Sequence, residues 1–487
     1  MTAPAHALRI RTTAGRGTLL AAILASGMVF LDSTVVNVAL PRLGADLDAT
    51  VAGLQWTVNG YALMLAAFVL LGGSLGDRFG RRRIFLIGVV WFAVASVLCG
   101  LAQDTNQLIA ARFLQGAGGA LLTPGSLSVL QASFHPDDRG RAIGTWSGLS
   151  GVSTALGPFV GGWLVDALSW RWIFFINLPL AVGVLLAAMR WVPESRDENV
   201  SRSAGRRFDI AGALLGAVAL AGLTYALIDA PVRGARSWSV LLAAGVGVLA
   251  AISFVLLERH RGEGAMLPTT LFGSRLFSVL NVFTVLVYAA LSGFTFFLSV
   301  YLQNVVGWSA LRTGLATVPM TVLLLLGSAR AGALSARIGP RLLLTVGPVV
   351  AAGGLLLLRR VGPGASYWWD VLPGVLLFGI GLTLVVAPLT ASVLAAVADR
   401  FAGVASGFNN AASRTGGLLA VAALPLLVGL SGTGYEQATA LTDAFRGAMA
   451  WCAGLLLGGA LLAALLVRRP PSPDRAPGRA APSTRGA

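Results

Sequence analysis

Long apolar runs alternate with short polar connections along almost the whole chain. Each run of about 20 apolar residues is long enough to cross the hydrocarbon core of a bilayer as a helix. The pattern predicts fourteen membrane-spanning helices, near 18–40, 51–74, 84–102, 106–131, 141–165, 171–190, 209–229, 238–257, 276–304, 312–335, 341–358, 369–396, 402–428 and 446–467. The predicted fold class is therefore an all-α integral membrane protein.

The longest polar connections divide these helices into groups. They predict an N-terminal tail (1–17), a six-helix bundle (18–190), a loop (191–208), two additional spans (209–257), a loop (258–275), a second six-helix bundle (276–467) and a disordered tail (468–487). The first apolar run continues to Leu40, past any expected cleavage site. We therefore interpret it as a retained span and not as a signal peptide.

The composition supports a membrane protein and excludes several other classes. Hydrophobic residues make up 56% of the 487 positions and charged residues only 11%. The formal charge of +16 comes from arginines in the short connections, which indicates topology and not nucleic-acid binding. In the fourteen-span arrangement 26 arginines lie in the predicted inner loops and termini and 8 in the outer loops. This bias predicts a bacterial plasma-membrane protein with both termini in the cytoplasm.

The residue inventory leaves little room for enzymatic chemistry. The chain has no lysine, so it has no P-loop lysine and is not by itself an ordinary ATP-driven pump. Cys99 and Cys452 lie in separate apolar runs, and the three histidines lie in loops or termini, so neither a structural disulfide nor a metal site is predicted. No predicted loop is long enough for a catalytic domain. The sequence therefore predicts a carrier that is not an enzyme and has no bound cofactor.

A charged hairpin interrupts the apolar pattern at residues 73–83. Its glycines permit a tight turn between two helix ends, and its acid can cap a helix or pair with an arginine. The candidate residues are Gly73, Asp77, Arg78, Gly80, Arg81 and Arg82. A similar stretch at 332–341 has Ala336 where the first copy has Asp77, which indicates two related halves. The alternative is a solvated hairpin that only sets orientation.

Two ionisable residues are predicted at mid-depth in the membrane. Asp32 lies midway along the first span, where an acid is costly to ionise and is expected to face a cavity or a partner. It could load and release protons, or it could be a structural acid bonded to a neighbouring helix. Arg112 lies in the fourth span and stays charged, so it needs an acceptor; Gln115 shares its helix face. Whether Arg112 faces Asp32, and whether it forms a permanent salt bridge, stays open.

The fifth span and several polar residues complete the candidate list. Proline breaks the helical hydrogen-bond ladder and glycine permits close packing, so the fifth span is expected to bend or to pack tightly at Gly144, Gly157, Pro158, Gly161 and Gly162. Other residues would line a polar cavity if they face inward: Asn37, Trp56, Asn59, Gln115, Asn409, Asn410 and Arg414. Packing or interfacial anchoring is the alternative for the aromatic residue.

Four stretches, all in the first half of the chain, resemble motifs of the major facilitator superfamily. Residues 73–82 match G-x-L-(A/G)-D-R-x-G-R-(K/R), residues 31–41 match L-D-x-T-V-V-N-V-A-L-P, and residues 112–118 match R-x-x-Q-G-x-G. The fifth span resembles G-x8-G-x3-G-P-x2-G-G, with Ser153 in place of one glycine. The first-span motif is similar to that of the fourteen-span drug:proton antiporters.

This resemblance implies a fold and a function. The implied fold has two six-helix bundles around a central cavity, with two additional linker helices. The implied function is proton-driven export of drug-like or antibiotic-like molecules by a monomer, with the proton as coupling ion. Asp32 and Arg112 would carry the coupling, the charged hairpin would be a cytoplasmic gate, and the fifth-span motif is typical of antiporters. A proton-coupled importer of a small nutrient and a non-transporting membrane sensor remain alternatives.

Overall fold

The computed structural model describes residues 8–195, 209–262, 269–398 and 401–467. Its long helices are α1 Thr13–Asp46, α2 Val51–Phe79, α3 Arg81–Leu101, α4 Thr105–Ser133, α5 Pro136–Ala167, α6 Trp172–Trp191, α7 Ile210–Arg233, α8 Trp238–Arg261, α9 Arg275–Asn304, α10 Ala310–Ile338, α11 Pro340–Leu358, α12 Tyr367–Ala395, α13 Ala402–Leu427 and α14 Ala438–Leu466. Helix α6 consists of Trp172–Phe175 and Asn177–Trp191, and α12 begins with a π-helical turn at Tyr367–Val371. The predicted tail 468–487 lies outside the described residues.

The number of clear membrane spans is smaller than predicted. Within the described residues, eleven helices are long and apolar enough to cross a membrane, and α2, bent by 50° near residue 70, makes twelve if it is one span. Helices α4 and α13 are not in this set. They carry Arg112 and Arg414 together with several glycines and amides, which lower their mean hydropathy. The all-helical membrane fold is confirmed, whereas the fourteen-span count stays a prediction.

The helices extend beyond the apolar runs that predict them. Helix α1 begins at Thr13, five residues before the predicted edge, because Thr12 accepts a hydrogen bond from the Gly15 N–H at 3.1 Å and caps the first turn. It ends at Asp46, beyond the predicted residue 40. Hydropathy detects only the part of a helix that lies in hydrocarbon, so it does not predict the polar turns at the helix ends.

The charged hairpin is two helix ends joined at a single glycine. Helix α2 continues to Phe79 and α3 begins at Arg81, so only Gly80 lies between them, at a φ of 110°. The second half repeats this joint: Gly339, at a φ of 86°, separates α10 from α11. A positive φ is easily accessible only to glycine, which explains why both copies retain it.

The helices form two bundles, α1–α6 and α9–α14, with α7 and α8 between them. In the first bundle α4 packs on α2 and α3, and α5 and α6 pack on α1; in the second, α9 packs on α13 and α14, and α12 packs on α10 and α11. Helix α7 packs on α8 and also on α2 and α13. Helix α7 therefore covers the seam where α2 meets α13, and α8 packs on α7.

A buried polar cluster joins the start of α7 to the end of α8. The Asp209 carboxylate accepts the Gly212 N–H at 2.7 Å, which caps α7, and it pairs with Arg261. Burial opposes ionisation of Asp209, but hydrogen bonds with Glu258, Gly212 and Arg261 outweigh burial and hold its pKa below the usual range. The sequence analysis did not single out these residues.

The two ends of the molecule differ in how the bundles meet. We call the end with the Gly80 and Gly339 joints the arginine-rich end, and the other the opposite end. At the opposite end the Asp166 carboxylate of α5 accepts the backbone N–H groups of Ala310 and Leu311 at 3.2 and 2.8 Å, so a residue of the first bundle caps α10 of the second.

Three further contacts join the bundles at the opposite end. Ser299 donates to the Asn37 carbonyl at 2.6 Å, and Gln55 donates to the carbonyl of Val421 at 2.7 Å. Tyr435 donates its hydroxyl to the Ala49 carbonyl at 2.7 Å. These bonds involve α1 and α2 of the first bundle and hold the opposite end closed.

Helix α5 separates from α10 toward the arginine-rich end. At the opposite end the two backbones touch, since a Cβ on Gly162 would lie 2.6 Å from the Ala310 carbonyl oxygen. Farther along α5, a Cβ on Gly144, Gly148 or Gly151 would meet no atom of the described residues within 4 Å. The space between the bundles therefore opens along α5 toward the arginine-rich end.

Candidate functional site

Asp32 lies at the centre of a buried network inside the first bundle. It is fully buried, and its Oδ2 accepts a hydrogen bond from Arg112 Nη1 at 2.6 Å. Its Oδ1 accepts from Gln115 Nε2 at 2.8 Å and from Asn177 Nδ2 at 3.3 Å. Three donors, one of them cationic, therefore converge on this one carboxyl group.

Arg112 is held on several sides. Besides Asp32, its guanidinium contacts the Gln115 side-chain oxygen, and its Nε donates to the Thr57 carbonyl at 3.0 Å. Its Cζ lies 4.3 Å from the centre of the Tyr61 ring, a cation–π contact. The pair is thus enclosed, with the arginine 1% exposed. The structure answers the open question: Arg112 faces Asp32 directly.

Two partners of the pair were missed by the sequence analysis. Ser96 of α3 accepts hydrogen bonds from Gln115 at 2.8 Å and from Asn177 at 3.3 Å. Asn177 begins the second piece of α6, directly after the break in that helix. The network therefore joins α1, α3, α4 and α6. The signal available for Asn177 was an amide side chain within the predicted span 171–190; Ser96 gave none, because serine is common in apolar helices.

Glycines bring α4 close enough for these contacts. A Cβ on Gly116 would collide with the Tyr61 carbonyl oxygen, and a Cβ on Gly118 would lie 2.8 Å from the Phe92 nitrogen. Side chains at these positions would push α4 away from α2 and α3. The spacing R-x-x-Q-G-x-G thus combines two polar residues on one face with the small residues that allow the face to be buried.

The charged hairpin is folded on itself at the arginine-rich end. Asp77 pairs with Arg81 Nε at 2.8 Å. The Arg82 side chain donates to the Met189 carbonyl at 2.7 Å, and its backbone N–H donates to Glu194. A Cβ on Gly80 would lie 2.7 Å from that Glu194 carboxylate, so Glu194, which follows the end of α6 at Trp191, fills the space beside the joint.

The other predicted hairpin residues lie on the last turns of α2. Gly73 lies near Pro124 of α4, where a Cβ added to the glycine would be 3.5 Å from the Pro124 Cβ. The Arg78 Cζ lies 5.9 Å from the Phe79 ring centre. These residues belong to the packed end of α2 and not to a free loop.

Most of the fifth-span motif fits α5 against its neighbours. A Cβ on Gly157 would collide with the Thr34 hydroxyl and one on Gly161 with Val35, both on α1. Pro158 and Gly162 face α10, where the Pro158 carbonyl lies against Gly314. Gly144 is separate from this contact and lies in the open part of α5.

The polar residues predicted for a cavity are distributed over several places. Asn37 donates to the Ser33 carbonyl within α1, while Asn409 of α13 bonds Asn281 and Thr284 of α9 at 3.1 and 2.7 Å. Arg414 donates to the Asn410 side chain at 2.8 Å. Gln115 belongs to the Asp32 network. These contacts do not form one continuous cluster.

Trp56 and Asn59 lie on α2 near the seam with the second bundle. Trp56 packs against Phe113 and against Tyr225 of the linker helix α7, with ring centres 5.9 and 6.4 Å apart. Asn59 is fully buried, and its amide nitrogen and oxygen have no hydrogen-bond partner within the described residues. Gln55, one turn away on the same face, bonds to α13, so Asn59 lies at the contact between the bundles.

The fold and the buried pair together define a class of protein. Two helical bundles meet at one end and separate at the other, around a charged network placed deep among apolar helices. This arrangement is that of a multi-pass membrane transporter.

Comparisons with known proteins give the family. A model of the Major Facilitator Superfamily matches residues 22–421. The tetracenomycin C resistance and export protein of Streptomyces glaucescens is 37% identical over 415 residues, which cover 84% of this chain and 75% of that protein. The puromycin resistance protein of Streptomyces alboniger is 35% identical over 462 residues, 92% of this chain and 90% of that protein.

A solved structure has the same fold at low sequence identity. A bacterial homologue of the human lysosomal transporter Spinster, in an inward-facing and unoccupied conformation, matches with a TM-score of 0.65 and 17% identity, over 93% of this chain and 97% of that one. The chain belongs to the major facilitator superfamily and is a transporter, not an enzyme.

Proposed function

We propose that this protein is a fourteen-span, proton-coupled antiporter that exports drug-like or antibiotic-like small molecules across a bacterial plasma membrane. The observation that carries the proposal is the buried Asp32–Arg112 pair, placed in a bundle that is closed at the opposite end and open toward the arginine-rich end. A titratable group that deep serves transport more often than stability, because ionised groups in hydrocarbon are costly.

The direction of transport is supported by the relatives. The proteins from S. glaucescens and S. alboniger are named for resistance to antibiotics, and the first also for export. The arginine bias favours a cytoplasmic location for the arginine-rich end and both termini. In this orientation the open side faces the compartment from which an exporter collects its substrate.

The proposed cycle is alternating access driven by protonation of Asp32. In this cycle, the pairing of Asp32 with Arg112 would correspond to the stage after proton release to the cytoplasm. Protonation from the outside would remove the attraction between the two groups and free Arg112 to rearrange. Each charge moved through the membrane potential supplies about 2.3 kcal/mol per 100 mV, enough to bias such a cycle.

The charged hairpin would gate the cytoplasmic side. Here Asp77 pairs with Arg81 while the cavity is open along α5. In the outward-facing state we expect Asp77 to bond a helix end of the second bundle instead. Ala336 occupies the matching position of the second copy, so only the first hairpin can act in this way.

The test is substrate-dependent proton movement in inverted membrane vesicles, with antibiotics as substrates. The Asp32→Asn variant is expected to lose both proton flux and uphill accumulation of the drug. Asp370→Asn is the matched control, because Asp370 accepts a backbone N–H at the start of α12, far from the network; it should retain both activities.

Two results would contradict the proposal. Uphill accumulation by Asp32→Asn at the native rate would make Asp32 a structural acid. Net uptake of a nutrient, with no export of any drug, would support the importer alternative.

A further inference from the structure

A groove on the outside of the first bundle has no role in the cycle described above. It has a volume of about 590 Å³ and lies between α3 and α4. Its walls are apolar side chains, several of them more than 40% exposed: Ile87, Val90, Trp91, Val94, Leu98 and Leu114. In a membrane protein this surface faces lipid. We propose that the groove binds one acyl chain of an anionic phospholipid whose headgroup contacts Arg83.

The dimensions of the groove fit one leaflet. From Ile87 to Leu98 the helix rises about 17 Å at ~1.5 Å per residue. Half of a hydrocarbon core of about 30 Å is about 15 Å. An α-helix with its side chains is about 10 Å wide and would not enter a space of this volume. A single extended acyl chain is therefore the occupant that fits.

Trp91 gives the groove a fixed wall. Tryptophan in spans is usually found at the membrane interface, whereas Trp91 lies midway along α3. Its indole N–H donates to the Leu114 carbonyl at 2.8 Å, which satisfies the polar atom at mid-depth. A Cβ on Gly118 would lie 2.9 Å from the Trp91 ring, so the glycine permits this seating. The groove is thus preformed.

Arg83 supplies the charge complementarity. It is exposed in the first turn of α3, and Ile87, one turn on, begins the groove on the same helix face. Its side chain has no ion pair or hydrogen bond with the described part of the chain. Two carboxylates of the described residues at this hairpin are engaged, Asp77 with Arg81 and Glu194 with the Arg82 N–H. An anionic headgroup would therefore meet, at the membrane surface, a guanidinium that no described residue neutralises.

The test is native mass spectrometry of the delipidated full-length protein, titrated with dioleoyl phosphatidylglycerol or with dioleoyl phosphatidylcholine. The native protein should bind the first phosphatidylglycerol about fivefold more tightly than phosphatidylcholine, the effect expected for one basic residue at a membrane surface. Arg83→Gln should abolish this preference, and Arg83→Lys should retain it. Filling the groove with Val94→Trp should weaken the binding of both lipids. Inorganic phosphate alone should not compete.

Matched control variants distinguish lipid binding at this groove from nonspecific lipid binding. Arg259 is an exposed arginine at the same end, on α8, and Val248 is a half-exposed valine on α8. Arg259→Gln and Val248→Trp should leave lipid binding unchanged. The proposal is overturned if Arg83→Gln binds phosphatidylglycerol like the native protein, if Arg259→Gln loses the preference equally, or if Val94→Trp has no effect. None of these results depends on whether the protein exports drugs.

Discussion

At the scale of single residues, the Asp32–Arg112 pair is a poor source of stability. Two charges removed from water cost several kcal/mol each, and the network of Gln115, Asn177 and Ser96 only compensates for that cost. This balance is consistent with the proposed role of Asp32 in proton coupling. A carboxylate that is stable only with its partner can be switched by one proton.

A double-mutant cycle tests whether the pair is a coupled unit. Arg112→Gln leaves Asp32 buried without its cation and should lower the free energy of unfolding by about 3–5 kcal/mol. Asp32→Asn removes the opposite partner and should also destabilise. The double variant should be less destabilised than the sum of the two, by about 1–3 kcal/mol, in thermal unfolding in detergent. Strictly additive losses would mean that the two side chains do not interact.

The sequence predicted the members of this pair but not its geometry. Asp32 and Arg112 were recognisable because charged residues within apolar runs are rare. Their contact depends on the packing of α1 on α4 and on the close approach of α4 to α2 and α3, which Gly116 and Gly118 allow. Asn177 was not predicted, because a polar side chain within a span often only bonds a neighbouring helix.

At the scale of elements, the boundaries depend on details that hydropathy does not record. The charged hairpin was predicted as a loop, yet α2 and α3 run through it to a single glycine. Helices α4 and α13 have weak apolar signals because they carry the polar residues of the interior. Both helices were nevertheless predicted from the sequence, near 106–131 and 402–428, because their polar residues stand within otherwise apolar runs.

The cap that Asp166 provides for α10 is an element-scale contact with a testable role. Asp166→Ala removes acceptors from two N–H groups of the other bundle, a loss of about 1 kcal/mol that applies only while the opposite end is closed. The population with the opposite end open should rise about fivefold. This population is measured from the distances between spin labels placed on α5 and α10 at the opposite end.

The control for this prediction is another carboxylate cap. Asp370 accepts the Ser366 N–H at 2.7 Å within the second bundle. Asp370→Ala should lower stability without changing the spin-label distances. If both variants shift the distances equally, the effect is general loosening and not release of the α10 cap.

At the scale of the whole molecule, the sequence indicated two related halves but could not indicate the conformation. Gly80 and Gly339 repeat the same joint, so the backbone supports the duplication. Which end is closed depends on contacts between residues far apart in the sequence, such as those of Asp166 with the start of α10. The place of α7, against α2 and α13, also depends on tertiary contacts alone.

Tyr435 links the two bundles and carries the last prediction. Its hydroxyl donates to the Ala49 carbonyl at 2.7 Å, and its backbone carbonyl accepts from Asn304 at 3.0 Å. Tyr435→Phe removes one neutral hydrogen bond, worth about 0.5–1.5 kcal/mol, from the closed opposite end. The open population should therefore rise by a factor of about 2 to 12. Tyr301→Phe is the control, because Tyr301 makes the same type of bond to Val361 inside one bundle.

The native protein and Tyr435→Phe should differ in the population with the opposite end open, and this difference depends on pH through the ionisation of Tyr435. Burial, with a smaller effect from Glu436, raises the pKa of Tyr435 from 10.0 to about 12. Since the raised pKa favours the neutral hydroxyl in the closed state, its contribution is fully present below pH 10 and is lost as the pH rises through about 12. Spin-label distances should therefore differ between the native protein and Tyr435→Phe by a constant amount from about pH 6 to about pH 10. A difference that disappears below about pH 10 would mean that the hydroxyl ionises freely and does not hold the opposite end closed.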